Sequence, residues 1–550
     1  MSRKLVLSLC LLVALLLSLS TVSAQDLMSV SGECGSDTNT SMIQSIEATD
    51  ASTVVFTLCA PDPAFPSKVA FAAFGINDSD YLTEMGGGGD LLTNPNGTGP
   101  YMLSNWDQTN EIVFSRNPNY WGDPAIEETL IFRWNSEASA RLVELQAGTV
   151  DGIDNPAPGD FEVIAADPNL SLYERPGTNV FYLGMNNTIE PFTDVRVRQA
   201  VAYAIDRQRI VDNFYPPGSQ AATQFMPPVI FGNTPEVEPF PVDLDMARSL
   251  LEEAAAENGW TLPLEVTLNY RDVVRGYLPQ PGIVGQDIQS QLAAVGINVT
   301  IEVMESGTFL DAAAAGQLGF FMLGWGADYP DPTNFLDFHF GAGSASTPRF
   351  GNVIPELTDV LAQAAQLADN DARYPLYVQA NTILRDQAVM VPIAHGGSGV
   401  AFQARITGAH SSPLGNEQFA VAEDPDDDNI IWMQNAEPLS LYCADETDGE
   451  TLRACEQVME SLLAYETGGT AVVPALAESY EANEDLTVWT FNIRQGVTFH
   501  NGATLDANDV VASWAAQWDA SNPLHVGRTG NFEYFAGFFG GYLNPPPPAS

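Results

Sequence analysis

From Leu264 to Val303 the chain reads strand, helix, strand. Leu264-Glu265-Val266-Thr267-Leu268 alternates apolar and polar residues as a half-buried strand does, an amphipathic run follows through Ile288 and Leu292, and Ile297 to Val303 alternates again. Such alternation builds an α/β lobe with helices packed on a sheet. The pattern recurs along the chain. Thr53 to Leu58 and Ile112 to Phe114 read as strands, and Asp194 to Val211 sets Val197, Val201, Ala204, Ile205 and Ile210 on one helical face with Asp194 as its cap. Met246 to Ala256 reads as a helix stopped at Asn258-Gly259, and helical sequence resumes from Ile354 to Ala388. At 550 residues the chain is expected to form more than one domain, because single cores stop growing near ~250–300 residues.

The first residues, Met1-Ser2-Arg3-Lys4, are basic; an apolar stretch runs from Leu5 to about Leu17, and small residues Val22-Ser23-Ala24 precede Gln25. This is the pattern of a secretory signal peptide over residues 1–24. No second stretch approaches the ~20 apolar residues needed to span a bilayer. Cys10 lies inside the leader and makes a poor lipid-attachment site. The exported chain keeps Cys34, Cys59, Cys443 and Cys455, in a compartment where disulfides persist. Four cysteines allow three pairings, and local spacing favours Cys34 with Cys59 and Cys443 with Cys455. No pair has the spacing of a metal site and no histidine stands close to one, so no metal is expected.

Lys and Arg total 21 against 70 Asp and Glu, a formal net charge of -49, and the only lysines are Lys4 and Lys68. Nucleic acid and anionic membranes require a cationic surface and are excluded as partners. Hydrophobic residues at 45% with 28 Phe are sufficient for large cores. His339, His395, His410, His500 and His525 are scattered, and the chain carries no H-E-x-x-H, no G-x-S-x-G and no glycine-rich phosphate loop, so neither an enzyme nor a cofactor is expected. Ala422 to Asp428 lacks the glycine and distal glutamate of a calcium loop and reads as a solvated acidic connector.

A set of phrases then narrows the reading. They are Gly97-Thr98-Gly99-Pro100-Tyr101, Arg116-Asn117-Pro118-Asn119-Tyr120-Trp121, Ala147-Gly148-Thr149-Val150-Asp151, Asp194 to Asp206, Gly324 to Phe335, Leu476 to Tyr480 and Phe491 to His500. Together they resemble the family 5 extracellular solute-binding proteins, the peptide-, dipeptide- and oligopeptide-binding components of ABC transporters. In that family the last two phrases precede the others, so the chain resembles a circular permutation of the usual order. The resemblance implies an α/β, two-lobed periplasmic-binding-protein-like fold of class II, cluster C type, with an extra subdomain. Residues 25–232 and 415–550 would form the first lobe and 233–414 the second. The family's terminal strand would end near Ala420 and its opening strand begin near Asn429, joined by the acidic connector, with the Cys34–Cys59 bridge fastening the new amino-terminal segment. The implied function is that of a monomeric receptor, periplasmic or held at the cell surface, that closes on a peptide and delivers it to permease subunits.

In peptide-binding relatives the aspartate matching Asp328 pairs with the ligand's α-ammonium, as a desolvated cation requires. Trp325 would provide an apolar wall, Tyr329 or Asn334 would orient nearby backbone, and Asp331 would shape the turn. Where dipeptide-binding relatives place an arginine for the other end of the ligand, this chain has Gln280 to Gly285. Arg271 and Arg275 lie just upstream and either substitute for it or are exposed surface. The turn Ala436 to Tyr442 would supply the first-lobe wall, with Tyr442 a ligand contact or a core residue. Tyr101, Trp106, Tyr120 and Trp121 are read as packing. Two other readings stand beside the peptide receptor: the same fold binding an oligosaccharide, an opine-like compound or a metal chelate, and a surface protein without a transport role.

Overall fold

The computed structural model describes residues 27–271, 275–304, 306–342, 344, 347–351 and 354–545. The expected signal peptide, with Cys10, and Pro546 to Pro548 lie outside them.

Strand pairing divides these residues into two lobes. A seven-stranded sheet runs in the order Tyr101–Asp107, Glu111–Arg116, Thr129–Trp134, Asn429–Gln434, Gly152–Asp154, Ser398–Gln403, Leu170–Arg175. A five-stranded sheet runs Ser29–Ser31, Ile43–Asp50, Thr53–Leu58, Val488–Ile493, Ala477–Ala482. Both sheets contribute to one core that includes Phe56, Phe132, Trp432 and Trp514. The late segments complete the early ones. Asn429–Gln434 lies parallel to Thr129–Trp134 on one side and Gly152–Asp154 on the other, and Val488–Ile493 pairs antiparallel with Thr53–Leu58.

The second lobe is built on a six-stranded sheet in the order Gln220–Ala221, Met390–His395, Asn179–Met185, Phe320–Gly326, Leu264–Arg271, Ile297–Met304. Along Asn179–Met185, Phe181 and Leu183 enter one core while Val180 and Tyr182 enter another. The strand is covered on both faces, which is why its sequence is apolar throughout instead of alternating.

The lobes part elsewhere than at the expected residues 232 and 414. Because Asn179–Met185 pairs with Phe320–Gly326 and Met390–His395, residues from 179 onward belong to the second lobe, and the return to the first is complete at Ser398–Gln403. The two crossings lie side by side. The Asn179 side chain donates to the Gly396 carbonyl at 2.7 Å and accepts from the Gly396 N–H at 2.8 Å. A Cβ on Gly177 would come within 2.5 Å of that same carbonyl oxygen, so glycine permits the approach.

Two local expectations are also corrected. The helical run from Asp194 is two helices, Val195–Ala204 and Arg207–Phe214, because Asp206 caps the second through the Arg209 N–H. The acidic connector is only partly solvated. Asp424 is 4% exposed and takes a bidentate bond from Arg405, whose Nη2 also reaches Asp151 at 2.6 Å. The helix Leu244–Asn258 and the unit of Leu264–Arg271, Pro281–Ala293 and Ile297–Met304 agree with the sequence reading. Cys34 is bonded to Cys59 and Cys443 to Cys455. Among the described residues no helix is long and apolar enough to cross a membrane.

Candidate functional site between the lobes

The strand Phe320–Gly326 runs parallel to Leu264–Arg271 and antiparallel to Asn179–Met185. Tyr277 packs so closely on Gly324 that a Cβ there would lie 2.3 Å from its ring. Beyond the strand the chain turns through Asp328 and Pro330 into one helical stretch, Thr333–Asp337, wound with the wide π bonding pattern that recurs at functional sites. That winding presents Asn334 to the turn. The Asn334 carbonyl accepts the Asp328 N–H at 3.0 Å and the Trp325 indole N–H at 3.2 Å, while its amide donates to Asp328 Oδ2 at 3.0 Å. One asparagine thus fixes the backbone, the carboxylate and the neighbouring indole. Trp325 stacks on Phe338 with ring centres 4.2 Å apart, and Phe338 remains 41% exposed.

The first lobe meets this turn directly. Tyr329 is 7% exposed, and its ring lies edge-on to Phe538 at 5.0 Å. Above the same ring sits Lys68 Nζ, 5.3 Å from the centroid, held by a 2.7 Å ion pair to Asp62. Lys68 is the only lysine among the described residues, and it stands at the contact between the lobes, over the ring of the residue that follows Asp328. Burial pushes the Asp328 carboxyl up, the Asn334 bond pulls it down, and the charge of Glu533 on the opposing lobe adds to the rise. Tyr534, next to Glu533, feels both carboxylates. Among the described residues no cationic side chain bonds to Asp328. The arrangement is a half-buried negative site with an aromatic wall.

The other expected residues separate. Asp331 is buried in a bidentate pair with Arg373, both bonds at 2.9 Å, and serves the turn. Arg271 ends the strand parallel to Phe320–Gly326 and donates to the Tyr277 hydroxyl at 3.2 Å, which places it at the same carboxyl-terminal end of the strands as Trp325. Arg275 is exposed and makes a main-chain bridge to Leu278. Tyr442 is a core residue, 2% exposed with its ring edge-on to Phe532; the residue of that turn left at the surface is Leu439, 52% exposed. Trp106 donates to Glu437 at 3.1 Å, and Tyr120 and Trp121 donate to Glu460, so these aromatics tie segments together. Sequence reasoning missed Glu533 and Lys68. The signal for Lys68 was its singularity in so acidic a chain; Glu533 carried none.

Residues 21–347 and 471–531 match the family described as bacterial extracellular solute-binding proteins, family 5 Middle. The chain is 32% identical over 382 residues to di/tripeptide-binding protein 1 of Pseudomonas aeruginosa, covering 68% of this chain and 70% of that protein. It is 30% identical over 384 residues to heme-binding protein A of Haemophilus influenzae, covering 69% of each. The structure of HbpA2 from Haemophilus parasuis superposes with a TM-score of 0.66 at 30% identity, over 70% of this chain and 75% of that one.

Proposed function

The chain belongs to the bacterial extracellular solute-binding proteins of family 5, and from that premise we propose that it is an exported receptor that captures peptides between its lobes and delivers them to the permease subunits of an ABC transporter. The observation that carries the reading is Asp328, clamped by Asn334, faced by Glu533 and without a cation of its own. A fixed, partly desolvated carboxylate favours an ammonium ligand, and a peptide brings one at its amino terminus. The same two carboxylates disfavour an anionic ligand such as heme, whose propionates would meet like charge. Arg271, at the carboxyl-terminal end of the strand next to that of Trp325, is the candidate for the peptide's carboxylate, while Arg275 faces solvent. Named relatives are binding proteins, in keeping with capture without catalysis.

Native mass spectrometry of the purified protein, followed by denaturation and sequencing of what is released, tests the assignment. A ladder of co-purified peptides is expected; a released sugar or metal complex would overturn it. Because Asn334 aims the carboxylate, Asn334→Ala is expected to weaken dipeptide affinity about tenfold, the scale of one hydrogen bond to a charged group. Calorimetry measures this, and unchanged affinity would remove Asn334 from the site.

The permuted order is part of the same proposal. It is supported by the central place of Asn429–Gln434 in the seven-stranded sheet and by the closeness of the two ends of the described chain. The Asn544 N–H donates to the Thr38 carbonyl at 2.6 Å, and Leu543 bridges Asn39. A chain rearranged to begin at Asn429, pass through residue 545 and a Gly-Ser linker into residue 27, and end at Asp426 should therefore fold and bind as the natural one does. Denaturant unfolding of the two at the same midpoint is the expected result; failure of the rearranged chain to fold would count against the permutation.

A further inference from the structure

The first lobe contains a cavity of about 450 Å³ that the peptide reading does not use. Its walls come from Tyr120 and Trp121, from the returning segment Leu414 to Gln418, and from the stretch around Glu456, Glu460 and Tyr465. The carboxylates in that wall are Asp123, Glu456, Glu460 and Glu466, and no lysine, arginine or histidine is among the residues that line it. Two of these acids, Glu456 and Glu460, are part-buried, and they differ. Glu460 is fully engaged, accepting from Thr98 at 2.7 Å, Tyr120 at 2.8 Å and Trp121 at 2.9 Å. Glu456 accepts from Asn416 Nδ2 at 2.8 Å on one oxygen, while its other oxygen, Oε2, is buried without a partner. Burial pushes the Glu456 carboxyl up to about 8, the nearby Glu417 adding to the rise and the Asn416 bond and the more distant charge of Arg453, which makes no bond to it, acting against it. An unmatched buried carboxyl is costly unless something completes it.

We propose that this cavity is a binding site for an alkyl guanidinium or ammonium group, with Glu456 as its counter-charge. The volume falls within the range of small-ligand sites and holds a basic side chain comfortably. The wall already shows the chemistry: the guanidinium of Arg494 lies 4.2 Å over the Trp121 ring. Asn416 holds Glu456 in place from the returning segment, and the Asp123 and Glu466 carboxylates stand exposed at its rim to attract a cation. Tyr465 lines this cavity, and its hydroxyl donates to the Ser67 carbonyl at 2.7 Å and feels the charges of both Glu456 and, at the interlobe site, Asp328. The cation is therefore either a free organic one or the basic side chain of a peptide held at Asp328. The second source rests on the peptide reading; the first does not.

Calorimetry with Ala-Arg, Ala-citrulline and ethylguanidinium on the wild type, Glu456→Gln and Asp328→Asn separates these. Citrulline keeps the shape of arginine and removes its charge, so the first comparison needs no variant. Ala-Arg is expected to bind at least tenfold more tightly than Ala-citrulline, with the difference abolished by Glu456→Gln and Ala-citrulline unaffected by it. Ethylguanidinium binding that survives Asp328→Asn and is lost in Glu456→Gln would support the site with a free cation as its ligand, even if no peptide bound at all. Equal affinity for the two peptides together with no Glu456-dependent binding of ethylguanidinium would overturn the proposal.

Discussion

Asparagine in place of Asp328 is expected to weaken capture of Ala-Ala by about thirtyfold or more while leaving the fold intact. Removing one member of a desolvated, hydrogen-bonded charge pair costs about 2–5 kcal/mol, and about 1.4 kcal/mol is a factor of ten in affinity. The substitution keeps the size of the side chain and an oxygen to accept the Asn334 amide, so the turn is retained and the charge alone is lost. Calorimetry on the folded variant gives the answer, and an affinity within a few-fold of wild type would sink the assignment of Asp328 to the ammonium. The sign of the pH dependence is fixed by the same group. Burial raises the Asp328 pKa, so the ionised form needed by an ammonium is lost at a higher pH than for an ordinary aspartate. Affinity should therefore fall on acidification, and Asp328→Asn should remove that dependence. Stability moves oppositely: a raised carboxyl favours the fold when protonated and gives up that contribution as pH rises through its folded value.

Local features were legible wherever the physics is local. The alternation in Leu264–Arg271 and Ile297–Met304, and the stop after Asn258, depend on neighbours a few residues away, and the structure repeats them. The two-lobed fold and the turn around Asp328 came through the family phrases. What escaped was set by partners distant in sequence. Asp424 looked like one acid in a solvated run, yet Arg405, which it shares with Asp151, draws it into the first lobe. Tyr442 and Leu439 share a turn, and only the packing of Phe532, a distant residue, decides which of them faces inward. The lobe boundary came from the family resemblance alone, and the membership of Asn179–Met185 is set by its pairing with Phe320–Gly326 and Met390–His395, partners more than a hundred residues away. Lys68 could be singled out by composition, but its position over the Tyr329 ring joins segments far apart in sequence that only the folded chain brings together.

The same dependence on distant partners makes Glu417 the residue whose loss should damage the fold most. It accepts from Arg175 at 2.6 Å and from Arg453 at 2.8 Å, and Asp154 completes the set with bonds of 3.0 Å to Arg175 and 3.2 Å to Arg453. All four are buried. Arg175 ends the last strand before the chain crosses to the second lobe, Glu417 precedes the acidic connector and Arg453 follows it. The network therefore fastens both sides of the proposed joint to Gly152–Asp154, the strand beside Asn429–Gln434, and to Leu170–Arg175 at the edge of the same sheet. Glu417→Ala would leave two buried guanidiniums sharing one carboxylate, and breaking a buried pair in this way costs about 3–5 kcal/mol. Denaturant unfolding should show a loss of that size, and a loss below about 1 kcal/mol, the scale of exposed pairs, would mean that the network contributes little. Burial by itself would raise the Glu417 carboxyl, but the two guanidiniums outweigh it and hold the pKa well below the usual glutamate range. A depressed folded pKa confers stability above the unfolded value that is lost only as pH falls through the folded one. The difference between wild type and Glu417→Ala should hence stay constant on acidification from neutral pH to the ordinary glutamate pKa and shrink below it, as the partners of Glu417 cease to be matched by a charge.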